Sequence, residues 1–241
     1  MNKILLGDNL PILRDLPSES FQLIYIDPPF NTGTVQKRQS MSYEDSFDDY
    51  WGFLRPRLEQ AWRLLKDSGT LYVHLDYREV HYVKVGLDEL FGRTCFLNEI
   101  IWAYDYGARS KRKWPTKHDT ILVYVKNPKN YYFNSEGVDR EPYMAPGLVT
   151  PEKREKGKLP TDVWWHTIVS PTGKEKTGYP TQKPVGILKR IIEASSRPGD
   201  WVLDFFAGSG TTGAAAQELD RHFLLIDSNP DAVDVMKKRL M

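Results

Sequence analysis

Short apolar runs separated by turn residues recur along much of the chain. They occupy residues 3–6, 21–26, 70–75, 99–104, 120–125, 201–205 and 222–226. Short uninterrupted runs of this kind are typical of strands that are buried on both faces of a parallel sheet. We therefore predict strands at these positions.

Between several of these runs, apolar residues recur at helical spacing. The clearest case is residues 48–66, where the spaced positions are Tyr50, Phe53, Leu54, Leu58, Ala61, Trp62 and Leu65. One apolar stripe of this width predicts an amphipathic helix. Further helices are predicted at residues 78–91, 184–196, 211–219 and 232–240. Strands that alternate with helices indicate an α/β fold with a doubly wound, mostly parallel sheet.

Two stretches lack this periodicity. Residues 131–181 are rich in Pro, Gly and charged residues. We interpret them as an irregular insertion in a single domain that spans residues 1–241, because long unstructured stretches in compact enzymes usually serve function. Residues 31–47 are polar and offer few core candidates. We predict a long loop there.

Composition narrows the class of protein. Hydrophobic residues make up 40% and charged residues 27% of the chain, and the formal net charge is +1, so a polyanion would have to meet a local basic patch. The single cysteine, Cys95, excludes an internal disulfide and a Cys-based zinc site, and we expect no metal. The first apolar run is too short for a signal peptide, and no run reaches membrane-spanning length. We therefore expect a cytoplasmic protein.

A glycine-rich turn follows the run at residues 201–205. Gly208, Gly210 and Gly213 match the pattern G-x-G-x-x-G, which permits a tight turn and close approach of a ligand to a helix N-terminus. Asp227 ends the next apolar run, where a carboxylate can accept hydrogen bonds from ribose hydroxyls. This unit predicts an adenosine-type cofactor. The pattern alone leaves NAD and S-adenosylmethionine both open.

The position of this turn links the two ends of the chain. A single nucleotide-binding βαβ unit has too little core to stand alone, so the N-terminal strands must complete its sheet. Ligands of doubly wound sheets bind beyond the carboxyl ends of the strands. Asp8 and the segment Asp27-Pro28-Pro29-Phe30 each follow a predicted strand, so we expect them beside the glycine turn. The structural alternatives are a helix cap for Asp8 and a simple turn for the second segment.

The acid-proline-proline-aromatic segment suits an amine substrate. The lone pair of a nucleobase amine is delocalised into the ring, and two acceptors for its hydrogens would localise that lone pair. Asp27 offers a carboxylate, and Pro28 offers a carbonyl on a backbone of fixed φ. Phe30 offers a flat surface for stacking. A base inside a duplex would have to be flipped out to reach them.

Together, Asp27-Pro28-Pro29-Phe30 and the segment from Asp204 to Thr212 resemble the DNA methyltransferases that modify adenine N6 or cytosine N4. The motif order resembles the permuted β class, and the resemblance covers nearly the whole chain. It implies a circularly permuted class I methyltransferase fold, S-adenosylmethionine as the cofactor, and double-stranded DNA as the substrate. It also implies that residues 131–181 form the target-recognition region. The loop predicted at residues 31–47 follows the acid-proline-proline-aromatic segment, so we expect it to close over the site and to be mobile without DNA.

The resemblance assigns roles to matching positions. It implies a catalytic segment of Asp27, Pro28, Pro29 and Phe30, although Phe30 stands where the family more often has tyrosine. It implies cofactor contacts from Asp8, Lys183, Pro184, Asp204, Phe206, Ala207, Gly208, Ser209, Gly210, Thr211 and Asp227. Among these, Asp8 would contact the adenine, Asp227 the ribose, and residues 206–211 the methionine part. Lys183, in Thr181-Gln182-Lys183-Pro184, would reach the cofactor's carboxylate or the rim of the site; a solvated surface lysine is the alternative. Asp27, where cytosine-specific members usually have Ser, favours adenine, and cytosine N4 is the alternative.

Candidate DNA contacts lie in two regions. The first is a basic stretch that includes Arg109, Lys111, Arg112 and Lys113, followed by His118. Phosphate contacts from such a stretch would give salt-dependent affinity, whereas a solvated loop and a structural histidine are the alternatives. The second is Trp164, in Trp164-Trp165-His166, which is expected either to wedge into DNA or to anchor the insertion.

Two rival functions remain at this stage. A nicotinamide-dependent oxidoreductase would use the glycine turn but gives no reason for Asp27-Pro28-Pro29-Phe30. A non-catalytic DNA-binding module would keep the fold and lose the chemistry. A homodimer and a separate restriction endonuclease are possible partners by resemblance.

Overall fold

The computed structural model describes residues 2–38, 41–105, 107, 109–170, 173, 175–179 and 181–241. Its strands are β1 (Lys3–Leu6), β2 (Phe21–Ile26), β3 (Thr34–Arg38), β4 (Met41–Asp45), β5 (Leu65–Leu75), β6 (Phe96–Ala103), β7 (His118–Val125), β8 (Val163–Trp165), β9 (Trp201–Asp204) and β10 (His222–Asp227). The main sheet has the order β1-β10-β9-β2-β5-β7-β6-β8, and β3 pairs with β4 separately.

The main sheet is parallel except at one strand. Strand β7 is antiparallel to both of its neighbours, β5 and β6, and every other pair in the sheet is parallel. The carboxyl ends of the parallel strands therefore share one edge, which we call the carboxyl edge. The predicted doubly wound, mostly parallel sheet is confirmed. The N-terminal strand β2 lies directly beside the C-terminal strand β9, with Ile24 paired to Leu203.

Helices cover both faces of this sheet. Residues of α1 (Asn9–Asp15), α2 (Tyr50–Leu64) and α3 (Val80–Phe91) share one buried cluster with sheet side chains such as Ile24 and Leu203. Residues of α5 (Val185–Ser195), α6 (Thr211–Glu218) and α7 (Pro230–Leu240) share the other with Leu23 and Val202. Neighbouring strand residues point to opposite faces, so each strand contributes to both clusters.

The segment predicted as a long loop at residues 31–47 is instead a hairpin of β3 and β4, with Thr34 paired to Asp45. The buried Asp45 secures its base: the carboxylate accepts hydrogen bonds from the Asn31 backbone N–H at 2.7 Å and from the Thr32 hydroxyl at 2.6 Å. Polar strands without an apolar alternation give no strand signal, which is why the sequence predicted a loop. Its mobility without DNA stays a prediction.

The insertion at residues 131–181 is partly ordered against the main body. It contains a short 3-10 turn (Pro146–Leu148), the helix α4 (Pro151–Lys156) and strand β8, which extends the sheet beside β6. Arg190 of α5 forms ion pairs with Asp139 at 2.6 Å and with Glu141 at 3.2 Å. Elements of three to six residues are too short to give a periodic signal in sequence. Among the described residues, no helix is long and apolar enough to cross a membrane.

Candidate active site

A cavity of about 340 Å³ opens at the carboxyl edge, where β2 and β9 lie side by side. Its walls come from the ends of these two strands, from the turn after β9, from the end of β10 and from the segment before α5. Residues of all four parts line it, among them Asp27, Phe30, Lys183, Gly208 and Asp227. A cavity of this size at the switch point of a doubly wound sheet suits a small-molecule ligand.

The turn at residues 205–211, which we call the cofactor turn, depends on glycine at two points. Gly208 has φ +50°, and a Cβ there would lie 3.2 Å from Tyr179 at the cavity wall. Gly210 has φ +74° and precedes α6. A Cβ on Gly210 would lie 2.7 Å from Cγ of Met236 in α7. Both positions favour glycine: Gly208 leaves space in the cavity, and Gly210 lets α7 pack against the turn.

Two carboxylates, the buried Asp204 and the partly buried Asp227, secure this turn. Asp204 accepts hydrogen bonds from the Phe206 N–H at 3.0 Å and from the Thr212 hydroxyl at 2.6 Å, and burial raises its pKa to about 7. Asp227 accepts from the N–H of Gly208 at 2.7 Å and of Asn229 at 2.9 Å. Burial also raises the pKa of Asp227. Asp227 thereby places one carboxylate at the cavity wall with lone pairs left for a ligand's hydroxyl groups.

Asp27, Phe30 and Lys183 meet at the other end of the cavity. Lys183 Nζ lies 2.8 Å from Asp27 Oδ2, and both side chains are largely buried. The same ammonium group lies 4.8 Å from the centroid of the Phe30 ring, over its face. The Tyr50 hydroxyl donates a hydrogen bond of 2.7 Å to the Pro29 carbonyl oxygen. These contacts fix the segment after β2 in one conformation.

The second oxygen of Asp27 is the exception in this polar cluster. Asp27 Oδ1 is buried and has no hydrogen-bond partner among the residues that the structure describes. Buried acceptors are nearly always paired in folded proteins, and leaving one unpaired costs free energy. An acceptor held in this way at a cavity wall is typical of a site for a ligand's N–H or O–H group.

Most of the residues predicted for the site line this cavity. All four residues of the acid-proline-proline-aromatic segment do so, as do the predicted cofactor residues apart from Asp8, Pro184 and Gly210. Asp8 caps α1 through the Leu10 N–H and pairs with Arg57 at 3.0 Å, so the helix-cap alternative describes its contacts. Pro184 precedes α5, and Gly210 turns the chain into α6. These three residues shape the site from outside the cavity.

Several lining residues were not predicted. Tyr25 precedes Asp27 by two positions, so the alternation of a strand brings it to the same side. Phe47 and Phe53 form an aromatic wall, with ring centroids 4.5 Å apart, and Phe53 also approaches Phe206 at 6.0 Å. Phe53 was expected only as part of a helix's apolar stripe. No pattern in the sequence distinguishes the core side of that stripe from its cavity end.

The predicted DNA contacts lie at the same edge of the sheet. Arg109, Lys111, Arg112 and Lys113 are exposed in the connection from β6 to β7, and His118 is exposed at the start of β7. We call residues 109–113 the basic loop. Trp164 differs: it is buried, donates a hydrogen bond to the Thr161 carbonyl and packs under Arg190. This favours the anchor alternative, and the exposed ring of the pair is that of Trp165.

Comparison with known proteins identifies the family. A family model described as DNA methylase, of the N6/N4 type, matches residues 21–238. The chain belongs to the N6/N4 DNA methylase family. It is 35% identical to the DNA adenine methyltransferase YhdJ of Escherichia coli, over 98% of this chain and 82% of that protein. It is 32% identical to the type II methyltransferase M.HpaI of Haemophilus parainfluenzae, over 99% of this chain and 74% of that one.

Solved structures agree with this assignment. The complex of M1.HpyAVI with SAM is 26% identical with a TM-score of 0.70, and it covers 100% of this chain and 99% of that chain. The cytosine-N4-specific PvuII DNA methyltransferase has a TM-score of 0.76 at 17% identity, covering 100% and 87% of the two chains, and so shares the fold. The protein is therefore an S-adenosylmethionine-dependent DNA methyltransferase, and the nicotinamide-dependent alternative is wrong.

The residues of this cavity fit that cofactor. The Gly208 position leaves space that a Cβ would fill, and the partly buried Asp227 carboxylate faces the same cavity, as a ribose-bearing ligand requires. The aromatic wall of Phe47, Phe53 and Phe206 offers a flat surface for an adenine ring. Among the described residues, no cluster of His, Cys, Asp and Glu has the make-up of a metal site.

Proposed function

We propose that this protein methylates the N6 amino group of adenine in DNA, and that Asp27 is the residue that orients this amine. The observation that carries the proposal is the buried, unpaired Oδ1 of Asp27 at the cavity wall. An amino group brings N–H donors that would pair with this atom. The relation to a DNA adenine methyltransferase at 35% identity supports adenine as the base.

The chemical step follows from these groups. Asp27 Oδ1 accepts one hydrogen of the exocyclic amine, and the Pro28 carbonyl, on its fixed backbone, accepts the other. Both bonds draw the lone pair out of conjugation with the ring and direct it towards the methyl group. S-adenosylmethionine, when bound, supplies that electrophilic methyl on its sulfonium. The amine gains the methyl and loses a proton, for which the Asp27 carboxylate is the nearest acceptor.

Phe30 and Lys183 prepare the place for the base. A flipped base would stack on the Phe30 ring, but the Lys183 ammonium covers one face of that ring. Lys183 also balances the charge of Asp27 through the 2.8 Å pair, so that this largely buried carboxylate has a partner when no nucleobase is bound. Stacking on the covered face therefore requires Lys183 to move towards the cofactor's carboxylate.

The remaining cofactor contacts and the DNA contacts are part of the proposal. The cofactor turn and Asp227 would hold the methionine and ribose parts, and the basic loop would contact phosphates of the duplex, with His118 beside it. Double-stranded DNA is the proposed substrate form. The insertion at residues 131–181 is proposed as the target-recognition region within a single catalytic domain. A homodimer and a separate restriction endonuclease stay predictions.

Nucleoside analysis tests the proposal directly. DNA from a host without DNA methyltransferases is incubated with the protein and S-adenosylmethionine, digested, and measured by mass spectrometry. We expect N6-methyladenine from the wild type and a rate lower by about 100-fold to 1,000-fold from Asp27→Asn. Asn replaces the carboxylate with a neutral amide, and the loss of one preorganised electrostatic contact in an active site has an effect of about this size, 100-fold to 1,000-fold. The matched control is Asp200→Asn.

Asp200 suits this role because it also pairs with a lysine, Lys66 at 3.5 Å, and its side chain is 19% exposed, against 18% for Asp27. It lies before β9, at the opposite edge of the sheet. Asp200→Asn should leave the methylation rate unchanged. N4-methylcytosine as the only product, or an equal loss of rate in both variants, would refute the proposal.

A further inference from the structure

A network of hydrogen-bonded polar side chains, which we call the polar network, lies behind the cavity. The Tyr25 hydroxyl lies 2.8 Å from His74 Nδ1, His74 Nε2 lies 3.2 Å from Asp119 Oδ2, and the Tyr104 hydroxyl donates a 3.0 Å hydrogen bond to Asp119 Oδ1. Tyr25 lies on β2, His74 on β5 and Asp119 on β7, which are neighbours in the sheet. The polar network thus crosses three strands close to their ends at the carboxyl edge.

The direction of these hydrogen bonds follows from the partners. Burial would raise the pKa of Asp119, but the hydrogen bonds from His74 and Tyr104 and the charge of Lys183 bring it below its ordinary value. The ionised carboxylate only accepts, so His74 Nε2 carries the hydrogen. Burial and the charge of Asp27 raise the pKa of Tyr25 well above its ordinary value, so its hydroxyl stays a donor. The Tyr25 hydroxyl then donates to Nδ1 of the His74 tautomer that carries its hydrogen on Nε2.

The stability of the fold alone does not explain why the polar network is present. His74 is completely buried, and Asp119 is 8% exposed. Placing an imidazole and a carboxylate between strands requires desolvation, and apolar side chains of similar size often stabilise a core equally well or better. Sequences that break the apolar pattern of a buried sheet do so mainly at functional positions. The polar network therefore points to a role in the chemistry of the adjoining site.

The polar network contacts the segment of Asp27 and Phe30, which is proposed to meet the base. Tyr25 lines the cavity and belongs to the same strand as Asp27. The Phe30 and His74 ring centroids lie 6.0 Å apart, and Trp102 holds His74 from another side at 5.6 Å. We propose that His74 is a positioning residue for methyl transfer, which fixes the Tyr25 hydroxyl and the Phe30 ring at the wall where the base meets Asp27. The inference rests on the proposed role of Phe30 as the stacking surface.

The test compares two tyrosines. Tyr25→Phe removes only the hydroxyl that binds His74. Tyr72→Phe is the matched control, because Tyr72 is paired with Tyr25 in the sheet, is equally buried, and its hydroxyl bonds Ser195 at 2.7 Å, away from the cavity. The kcat and KM are measured with tritiated S-adenosylmethionine and unmethylated genomic DNA. Cofactor affinity is measured by calorimetry, and Tm by thermal unfolding.

We expect kcat to fall about 10-fold to 100-fold in Tyr25→Phe, since small misplacements of reacting groups have effects of this size. The kcat of Tyr72→Phe should equal that of the wild type. Cofactor affinity should be unchanged in both variants, and their Tm values should be alike. An equal kcat in the two variants would overturn the proposal, and so would a Tyr25→Phe protein that loses cofactor binding or stability beyond that of Tyr72→Phe.

A second pair of variants tests His74 itself. His74→Asn places an amide oxygen near the position of Nδ1, where it still accepts from Tyr25, whereas His74→Leu removes every polar contact. We expect His74→Asn to retain more of kcat than His74→Leu at equal cofactor affinity. Equal rates would contradict a role exerted through Tyr25. The identity of the methylated base in the wild-type product tests the proposed function separately, because the rate ratios do not depend on it.

Discussion

Gly210 is the most constrained position of the cofactor turn, so we expect Gly210→Ala to be strongly destabilising. Its φ of +74° alone costs a residue with a Cβ about 1 kcal/mol. The new Cβ would also lie 2.7 Å from Met236 Cγ and 3.3 Å from Leu240 Cδ1, so α7 would have to shift. Overpacking of this kind adds about 1 to 3 kcal/mol. The expected loss of free energy of unfolding is therefore about 2 to 4 kcal/mol.

Gly199→Ala isolates the packing contribution. Gly199 has a similar φ of +83°, but none of the described atoms outside its own neighbourhood lies within 4 Å of a Cβ built there. We expect it to lose only about 1 kcal/mol. Urea and thermal unfolding measure both variants, and Tm should fall by about 4 to 16 °C for Gly210→Ala, at about 2 to 4 °C per kcal/mol for a chain of this length. Equal losses in the two variants would refute the view that α7 packs against this turn.

Three further predictions concern charge. Lys183→Gln should weaken S-adenosylmethionine binding in calorimetry, whereas Lys189→Gln, which breaks a surface pair with Glu218, should not; equal affinities would contradict a role for Lys183 at the cofactor. With its pKa raised to about 7, the carboxyl of Asp204 makes the fold less stable as the pH rises from about 4 to about 7, because the unfolded chain ionises first. Asp204→Asn should remove this pH dependence of the free energy of unfolding, which amounts to at most about 4 kcal/mol over that pH range. Urea unfolding at several pH values measures it, and an unchanged pH dependence would contradict the role of Asp204. Replacing Arg112 and Lys113 together with Ala should lower the slope of log K for DNA against log salt by about 2, and an unchanged slope would exclude phosphate contacts from the basic loop.

The framework of the fold was predictable because buried parallel strands have a strong signal. The runs that became β2, β5 and β9 are mostly apolar and end abruptly, and the helices between them have regular apolar stripes. The need to complete a C-terminal nucleotide-binding unit predicted that N-terminal strands join its sheet, and the structure places β2 directly beside β9. The hairpin of β3 and β4 escaped prediction because its strands are polar, and the hydrogen bonds of Asp45 at its base come from residues 13 and 14 positions away, which no local pattern records.

The site was predictable where motifs carry it and not where packing does. Asp27 and the cofactor turn were expected at one edge, and the structure places both around one cavity. The pairing of Asp27 with Lys183 joins residues that lie far apart in sequence, so only the fold reveals it. The polar network of Tyr25, His74 and Asp119 could not be predicted from the sequence for another reason. Each member sits in a strand whose overall apolar character masks the polar position.

The central claim is that Asp27 directs methyl transfer to adenine N6. Long-read sequencing of DNA from cells that express the wild type, Asp27→Asn or Asp200→Asn tests this claim most directly, since it reports the modified base and its sequence context together. The account predicts N6-methyladenine in one sequence context for the wild type and Asp200→Asn, and little or none for Asp27→Asn. N4-methylcytosine in the wild type, or full adenine methylation by Asp27→Asn, would contradict it.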